Sequence, residues 1–387
     1  MKNNRKRVDT QPKLQGKHFK NIGYQKIVIV LASILLLLSA LVGGYIIYMI
    51  VTYHRIADNT VLEVSQTAAS KNNIIQCGEE YTALTYNIGF GAYSDDYSFF
   101  MDGGKYSRAF SKEAAVKNVT GAAEAAQACN PDFVLFQEVD LDSTRSYHIN
   151  QYEIIQEYFV DFAANFGVNY HSSYLMVPLN EPHGASTAGL ATFSRFSMYS
   201  ALRRSLPISG GGIGKFIDLD RAYVITRLPV ENGKELVIFN VHLSAYATDD
   251  TIVGQQIAML SEDMKQDLAA GNYILCGGDY NQDLLGNSPE VFQTAQTDAN
   301  WAKPFPTQLL PEGMALSYDL LSKEEHDNRK PSCRNADKPY EEGESFVTMV
   351  DGFLISDNLE LIEINTIDTG FAYSDHNPVM MKFKLKE

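Results

Sequence analysis

The segment Tyr273-Ile274-Leu275-Cys276-Gly277-Gly278-Asp279-Tyr280-Asn281 combines a short apolar run with a polar turn. Its first residues predict a buried strand, because they are apolar and end at glycine. The paired glycines allow the backbone to turn tightly. Asp279 and Asn281 lie two residues apart and therefore project to the same side. We interpret the segment as a core strand whose carboxyl end carries candidate site residues.

Apolar runs of the same kind recur along the chain and alternate with amphipathic stretches. The strand candidates are residues 82–86, 133–137, 190–193, 223–228, 236–241, 273–275, 349–355 and 379–385. Three helices are predicted between them: an Ala-rich helix capped by Ser111, one carrying Ile155, Phe159, Phe162 and Phe166, and one carrying Val253, Ile257, Leu260, Met264 and Leu268. This alternation predicts one α/β domain with sheet layers covered by helices.

Polar residues stand at or just beyond the carboxyl ends of several strand candidates, where α/β folds build their sites. They are Asn87, Glu138, His242, Asp279, Asn281, Asp351, Asp375 and His376. Each has an ordinary alternative, such as a turn-forming Asn, a solvated Glu or a structural His. Asp351 differs because it interrupts an apolar strand, and a buried acid needs a partner, for which a histidine is the obvious candidate.

The types of candidate ligand predict a hard divalent cation. Carboxylate and amide oxygens suit Mg²⁺, with Mn²⁺ or Ca²⁺ as alternatives, better than they suit zinc. The four cysteines form no CxxC pair, so a structural zinc site has no support. A hard cation, an imidazole oriented by an acid and neutral donors are what hydrolysis of a phosphate ester requires.

In this order, the motifs resemble those of the endonuclease/exonuclease/phosphatase superfamily, from about residue 82 to residue 385. Its members include nucleases, neutral sphingomyelinases and inositol polyphosphate 5-phosphatases. The stretch Gly189-Leu190-Ala191-Thr192-Phe193-Ser194-Arg195 also resembles the central strand of that family. The resemblance implies an α+β fold, a four-layer α/β/β/α sandwich of two mixed sheets flanked by helices.

The resemblance also implies roles for the individual residues. Glu138, Asn87 and Asp375 resemble the metal ligands. Asp279 would orient the attacking water or assist the leaving group, and Asn281 would hold the phosphate. His242 would donate to a phosphate oxygen, and His376 would be a second catalytic imidazole oriented by Asp351. Which histidine acts as the base is left open. Arg221 is a weaker candidate for contact with the phosphate, since a surface role is equally consistent with its position.

Residues 27–52 form a run without a charged side chain. As a helix this run would be roughly 39 Å long, more than the ~30 Å hydrocarbon core of a bilayer. No small-residue cleavage site of a signal peptide follows it. We therefore predict a basic cytoplasmic tail (1–26), a transmembrane helix (27–52), a stalk (53–78) and an extracytoplasmic catalytic domain (79–387) at the plasma membrane. The alternative for this run is a buried core helix.

Charge constrains the partners. Residues 1–26 carry eight basic side chains against Asp9, a charge of +7, so the formal charge of −15 leaves −22 on the rest. Such a body repels long nucleic acid, although a bound metal can reverse the local field. The substrate expected is a phosphodiester or monoester of a lipid or small molecule. A surface nuclease and a non-catalytic binding module are the alternatives, and the oligomeric state is undetermined.

Overall fold

The computed structural model describes residues 17–208, 220–245, 250–294 and 301–387. The chain divides into two units, Met1–Tyr53 and His54–Glu387. The first unit contains helix α1 (Lys17–Thr52). Within it, Gly23–Thr52 has a mean hydropathy of 2.8 and is long and apolar enough to cross a membrane, a test that a signal sequence near the N-terminus also passes. The structure thus confirms an N-terminal apolar helix, and its insertion in a membrane stays a prediction.

The second unit, called the body below, alternates strands and helices. The described strands are β1 (Thr60–Leu62), β2 (Val64–Ser65), β3 (Glu80–Asn87), β4 (Phe133–Asp140), β5 (Ala163–Leu175), β6 (Gly184–Ser194), β7 (Ser200–Ser205), β8 (Ala222–Pro229), β9 (Glu235–His242), β10 (Tyr273–Asp279), β11 (Met314–Leu316), β12 (Cys333–Arg334), β13 (Val347–Thr348), β14 (Asp351–Ser356), β15 (Leu359–Thr366) and β16 (Val379–Leu385). The described helices are α2 (Lys112–Ala128), α3 (Gln151–Tyr158), α4 (Asp250–Ala270), α5 (Ser288–Val291) and α6 (Lys323–Asp327).

The strands form two seven-stranded mixed sheets and a small β12–β13 pair. One sheet has the order β1-β7-β8-β9-β10-β14-β11, and the other β15-β16-β3-β4-β6-β5-β2. Each contains one parallel pair at its centre, β9 with β10 and β3 with β4. In both parallel pairs, the carboxyl ends therefore lie at the same edge of their sheet. These four ends carry His242, Asp279, Asn87 and Glu138.

The apolar faces of the two sheets pack against each other. The shared core includes Leu135 from one sheet and Phe239, Leu275 and Phe353 from the other. Gly277 permits the close approach, since a Cβ there would lie 2.5 Å from Phe353 and 2.7 Å from Leu135. Burial of this apolar surface is the main stabilising contribution of the sandwich.

Helices cover the outer faces and complete the four layers. Ser111 caps α2 by accepting a hydrogen bond from the Ala114 amide at 3.1 Å, as the sequence predicted. The α2 residues Val119, Ala122 and Ala126 are buried among Leu84, Val134 and Phe193. Helix α4 buries Ile257, Leu260 and Met264 against the other sheet. The predicted sandwich of two mixed sheets flanked by helices is confirmed.

Two sequence-based expectations differ from the structure. The helical spacing of Phe159, Phe162 and Phe166 predicted one helix, but α3 ends at Tyr158 and β5 begins at Ala163. The segment from Ala163 to Leu175 instead pairs with β6, and Gly167 lets it pack closely on the facing sheet, since a Cβ there would lie 2.4 Å from Val224. Part of the expected stalk is also paired, with β1 on β7 and β2 on β5. The other domain boundaries stay predictions.

Candidate active site

The strand register places three of the predicted residues side by side. Asp279 at the end of β10 is the register partner of His242 on β9 and of Asp351 on β14. The His242 Nε2 atom lies 3.6 Å from Asp279 Oδ2. All three side chains are nearly inaccessible to solvent. Neighbouring strands therefore build one buried row of an imidazole and two carboxyl groups.

Glu138 reaches this row from the other sheet through a β-bulge. The register of β4 against β6 shifts between Phe136 and Val139, and Glu138 has a φ of +55°. A bulge of this kind re-aims a side chain at the end of a strand. The Asn87 side-chain amide donates to Glu138 Oε1 at 3.3 Å and to Asp279 Oδ2 at 2.9 Å. Asn87 therefore joins the two sheets at the site.

The loop before β16 brings in the second imidazole. The His376 Nδ1 atom lies 2.8 Å from Asp351 Oδ2, and its Nε2 atom lies 3.8 Å from Asp279 Oδ2. Ser374 fixes the same loop by donating to the Asn87 carbonyl at 2.8 Å. Asp351 is fully buried, and His376 is the partner that such an acid requires. The predicted acid–histidine pair is thus present in the structure.

Burial and neighbouring charges give the two histidines opposite protonation behaviour. Burial lowers the pKa of His242 well below its usual value, and the positive charges of Arg221 and His376 lower it further. Burial alone would also lower the pKa of His376, but the Asp351 carboxylate holds it well above the usual value. Near neutral pH, His242 is therefore neutral and His376 is a cation.

The carboxyl groups are perturbed in the same cleft. Burial raises the pKa of Asp279 to about 7, with Asp351 adding to the rise and His376 opposing it. Burial also raises the pKa of Asp375 to about 6, and the negative charge of Glu138 adds to that rise. Crowded carboxylates of this kind favour either a proton or a cation between them.

Glu138, Asp375 and Asn87 carry the oxygen ligand types that a hard divalent cation prefers, and the two carboxylates line the same cleft. Gly89 leaves the space for this, since a Cβ on it would lie 3.1 Å from Asp375 Oδ1. A tighter group is formed by Asp279, Asp351 and His376, whose ligand atoms lie within 4.8 Å of one another. We assign that proximity to the Asp351–His376 ion pair, which already occupies the His376 Nδ1 atom.

Asn281 completes the set beside Asp279. Its backbone amide donates to Asp279 Oδ1 at 2.8 Å, and its side-chain amide donates to the Leu243 carbonyl at 2.9 Å. Arg221 is 7% exposed and lines the same cleft as Glu138 and His376. The structure therefore brings all nine sequence-predicted site residues to one cleft or directly behind it, while their chemical roles stay predictions.

The cleft has further lining residues besides the nine predicted site residues. One wall is aromatic and is formed by Phe90, Tyr93 and Phe99. These rings pack on one another, so the aromatic stretch after Asn87 is a loop folded over the body by its own side chains. His183 is buried beside them, and burial lowers its pKa to about 3. A histidine far from the strand-end motifs gives no signal in the sequence.

Arg145 and Arg334 also line the cleft and are almost fully buried. Arg145 forms a two-pronged ion pair with Asp140, with distances of 2.9 and 3.2 Å, and covers the Phe90 ring at 3.8 Å. Arg334 donates to backbone carbonyls, including that of Ser94 at 2.8 Å. Two buried guanidinium groups therefore add positive charge to the cleft, although the body as a whole is acidic.

Comparisons with known proteins agree with the fold of the body. An endonuclease/exonuclease/phosphatase from Beutenbergia cavernae DSM 12333 has a TM-score of 0.52 and 17% identity, over 79% of this chain and 72% of that chain. Humanized D. rerio TDP2 has a TM-score of 0.50 and 13% identity, over 79% of this chain and 99% of that chain. At such identities the likeness shows a shared fold alone. No curated protein sequence matches. The family model described as Endonuclease/Exonuclease/phosphatase family matches residues 84–376, most of the chain, and the protein belongs to that family.

Proposed function

We propose that the protein is a membrane-anchored, divalent-metal-dependent phosphoester hydrolase that acts outside the cytoplasm. The observation that carries this proposal is the convergence of Glu138, Asp279, His242 and His376 from both sheets at one cleft. Members of this family are hydrolases of phosphate esters and generally depend on a metal. The charge pattern of the cleft supports the same chemistry in this chain.

Glu138, Asn87 and Asp375 would hold the cation, with Mg²⁺ as the first choice and Mn²⁺ or Ca²⁺ as alternatives. When bound, such an ion stabilises negative charge that develops on the phosphoryl oxygens. The like-charge pair of Glu138 and Asp375 supports this assignment, because a cation would relieve the repulsion that contributes to the raised pKa of Asp375.

The remaining groups would carry the proton transfers and bind the phosphate. Asp279 would accept a hydrogen bond from the attacking water and take its proton, which the pKa of about 7 favours near neutral pH. His376, charged and held by Asp351, would stabilise the developing charge on phosphate. His242 and Asn281 would donate to phosphate oxygens, and Arg221 would contact the phosphate from the cleft wall.

The substrate proposed is a phosphate ester of a lipid or small molecule. An exposed apolar rim begins at the end of β5 and is formed by Tyr174, Met176, Val177 and Leu179; their exposed fractions are 37%, 43%, 62% and 81%. The chain returns from this rim to His183, which lines the cleft. An exposed apolar cluster beside a catalytic cleft favours contact with a lipid surface.

A nuclease is the alternative of the same chemical class. The basic doublet Arg203-Arg204 is the sequence feature near the middle of the chain that could support it. Arg203 is 1% exposed, and its guanidinium donates to the backbone carbonyls of Val168 and Asp220. Arg204 pairs with Asp58 and Asp263. Neither side chain is therefore available to a nucleic-acid backbone, and the doublet gives the nuclease no support.

The deciding experiment is a substrate panel on the full chain in detergent. It contains an aryl phosphodiester, sphingomyelin, phosphoinositides and DNA, each with Mg²⁺ and with a chelator. We expect Mg²⁺-dependent turnover of an aryl or lipid substrate that is lost in Glu138→Ala and His376→Ala. Turnover that persists in both variants would refute the site. A folded chain that turns over no substrate would favour the binding-module alternative.

The apolar rim and the anchor have separate tests. The double change Val177→Ser with Leu179→Ser should reduce hydrolysis of a lipid in vesicles but leave hydrolysis of the aryl phosphodiester unchanged. Leu320→Ser, which alters an exposed leucine elsewhere, is the matched control. For the anchor, protease added to intact cells should digest the body. Protection of the body would reverse the proposed orientation.

A further inference from the structure

Arg145 is held at the wall of the cleft with one nitrogen atom unused. Its Nε and Nη2 atoms donate to the two oxygens of Asp140, and its Cζ atom lies 3.8 Å from the Phe90 ring centroid and 5.3 Å from that of Tyr170. Among the described residues, none accepts a hydrogen bond from Nη1, and this atom is not fully enclosed by protein. Asp140 is fully buried, whereas Arg145 lines the cleft. The ion pair therefore presents a free N–H donor to the cleft.

His183 presents the complementary group, a hydrogen-bond acceptor. Its Nδ1 atom lies 2.9 Å from the Ser107 carbonyl oxygen, which can only accept, so Nδ1 carries the hydrogen. Burial and the charge of Arg145 lower the pKa of His183 to about 3, so near neutral pH the ring is neutral and Nε2 has a lone pair. Within the described part of the chain Nε2 has no hydrogen-bond partner and is not fully enclosed. His183 also lines the cleft.

The donor and the acceptor adjoin the same aromatic ring. Arg145 covers Phe90, and the His183 ring lies edge-on to Phe90 and Phe99, with centroid distances of 6.3 and 6.2 Å. A hydroxylated alcohol suits this combination, because its hydroxyls donate and accept while its carbon atoms pack on the rings. A charged phosphate oxygen can only accept, and a quaternary ammonium group does neither. Each of these would leave one of the two polar groups without a partner.

The same two residues are connected to the catalytic groups and to the apolar rim. Asp140, which holds Arg145, lies two residues after Glu138 on β4. Burial is the main cause of the low pKa of His242, and the charge of Arg145 contributes to it, so that charge acts on the proposed phosphate-binding group. His183 follows the apolar rim along the chain. A lipid substrate would therefore place the alcohol of its head group near these residues.

We propose that Arg145 and His183 form a subsite for hydroxyl groups in the alcohol part of the substrate, and that the enzyme prefers phosphate esters of polyols, such as glycerol or inositol. His183 Nε2 would accept a hydrogen bond from one hydroxyl, and Arg145 Nη1 would donate to a hydroxyl oxygen. An ester without hydroxyls would leave both groups unpaired, which weakens its binding. The preference in catalysis rests on the proposed function, whereas binding of a polyol does not require turnover.

The first test measures binding by calorimetric titration of the full chain in detergent with Mg²⁺. The ligands are 3,4-dihydroxybutylphosphonate and butylphosphonate, which cannot be hydrolysed at phosphorus and differ only in two hydroxyls. Two added hydrogen bonds, one of them to a charged donor, should make the diol bind at least about tenfold more tightly. Equal affinities, or no detectable binding of the diol, would overturn the proposal.

Matched variants separate hydroxyl binding from a structural role. His183→Asn keeps an N–H near the position of Nδ1 for the Ser107 carbonyl but lacks Nε2, whereas His183→Gln places a polar atom near the position of Nε2. The preference for the diol should fall to about twofold or less in His183→Asn and persist in part in His183→Gln. Arg145→Lys, which keeps a cation beside Asp140 without Nη1, should also lose preference. Arg204→Lys is the control for an arginine paired elsewhere.

Thermal melting checks that each of these variants is folded. If His183→Asn or Arg145→Lys fails to fold, the other variant still tests the subsite, since each removes one of the two groups. Folded variants at both positions that keep the full preference for the diol would show a structural role alone and overturn the proposal.

Hydrolysis of lipids in mixed micelles tests the preference in catalysis and distinguishes the two polyols. We expect kcat/KM for phosphatidylglycerol or phosphatidylinositol to exceed that for phosphatidylcholine at least about tenfold. Equal values for all three lipids, or turnover of the aryl phosphodiester with none of the lipids, would refute the preference. If neither the lipids nor the aryl ester are hydrolysed, the proposed function fails, and the calorimetric titration still decides whether the subsite exists.

Discussion

Replacing Asp351 with asparagine removes the negative charge beside His376 while keeping the size of the side chain. The two groups are 2.8 Å apart and buried. At an effective dielectric constant of ~20 their Coulomb attraction is about 6 kcal/mol before desolvation is subtracted. A hydrogen bond to a charged group keeps ~1.5–3 kcal/mol of such a gross value. If this net energy stabilises the His376 cation in the transition state, losing the interaction with Asp351 lowers kcat by about 10- to 150-fold.

The assay is steady-state hydrolysis of an aryl phosphodiester at saturating Mg²⁺ between pH 5 and 9. Asp351 raises the pKa of His376, so its removal lowers that pKa. The cation is then lost at lower pH, and the alkaline limb of kcat should move to lower pH. Asp368→Asn, which removes an exposed carboxylate paired with Lys330, is the matched control. A folded Asp351→Asn protein with kcat within about threefold and an unmoved alkaline limb would refute the assigned role.

Three further predictions concern the metal, acid stability and packing between the sheets. Glu138→Gln removes one charged ligand without changing size, so the Mg²⁺ concentration for half-maximal activity should rise at least about tenfold in a metal titration; equal titrations would exclude Glu138 as a ligand. His183 has a pKa of about 3 in the folded state and ~6.5 in the unfolded state, so at pH 5 only the unfolded state binds a proton at His183. Lowering the pH from 7.5 to 5 should therefore reduce the free energy of unfolding by ~2 kcal/mol through His183. Thermal melts of His183→Gln should show a correspondingly smaller loss of stability over the same pH range. Gly277→Ala should lower the free energy of unfolding by ~1–3 kcal/mol because its Cβ would lie 2.5 Å from Phe353, whereas Gly254→Ala in α4, which meets no atom within 4 Å, should not destabilise.

Short runs of apolar residues in the sequence were sufficient to predict the central strands of both sheets. Strand β16 coincides with the predicted residues 379–385, and β3, β4, β8, β9 and β10 extend their predictions by one to four residues at an end. These are core strands with continuous apolar runs, and such runs are informative because both faces are buried. The edge strands β1 and β15 and the adjacent strand β7 were missed, since many of their residues are only partly buried and their pattern is weak.

Some residues of the candidate site could also be predicted from the sequence, and others could not. Asp279 and His242 could be predicted because a polar residue directly after an apolar strand is visible in the sequence. Their convergence depends on register, and the pairing of Asp279 with both His242 and Asp351 is a property of three strands together. Arg145 and Cys333 could not be predicted, because each reaches the cleft through contacts with residues distant along the chain.

The backbone at Glu138 has a consequence for how this fold can change. A non-glycine residue with a φ of +55° carries a local conformational penalty of order 1–3 kcal/mol, which the surrounding sheets must offset. Glycine would relieve that penalty and give up the carboxylate. Glu138→Gly should therefore be better tolerated by the fold than Glu138→Val, while both lose the carboxylate. Selection for thermal stability alone would therefore favour loss of the carboxylate at this position. Stability and the proposed catalytic activity thus make opposite demands on a single residue.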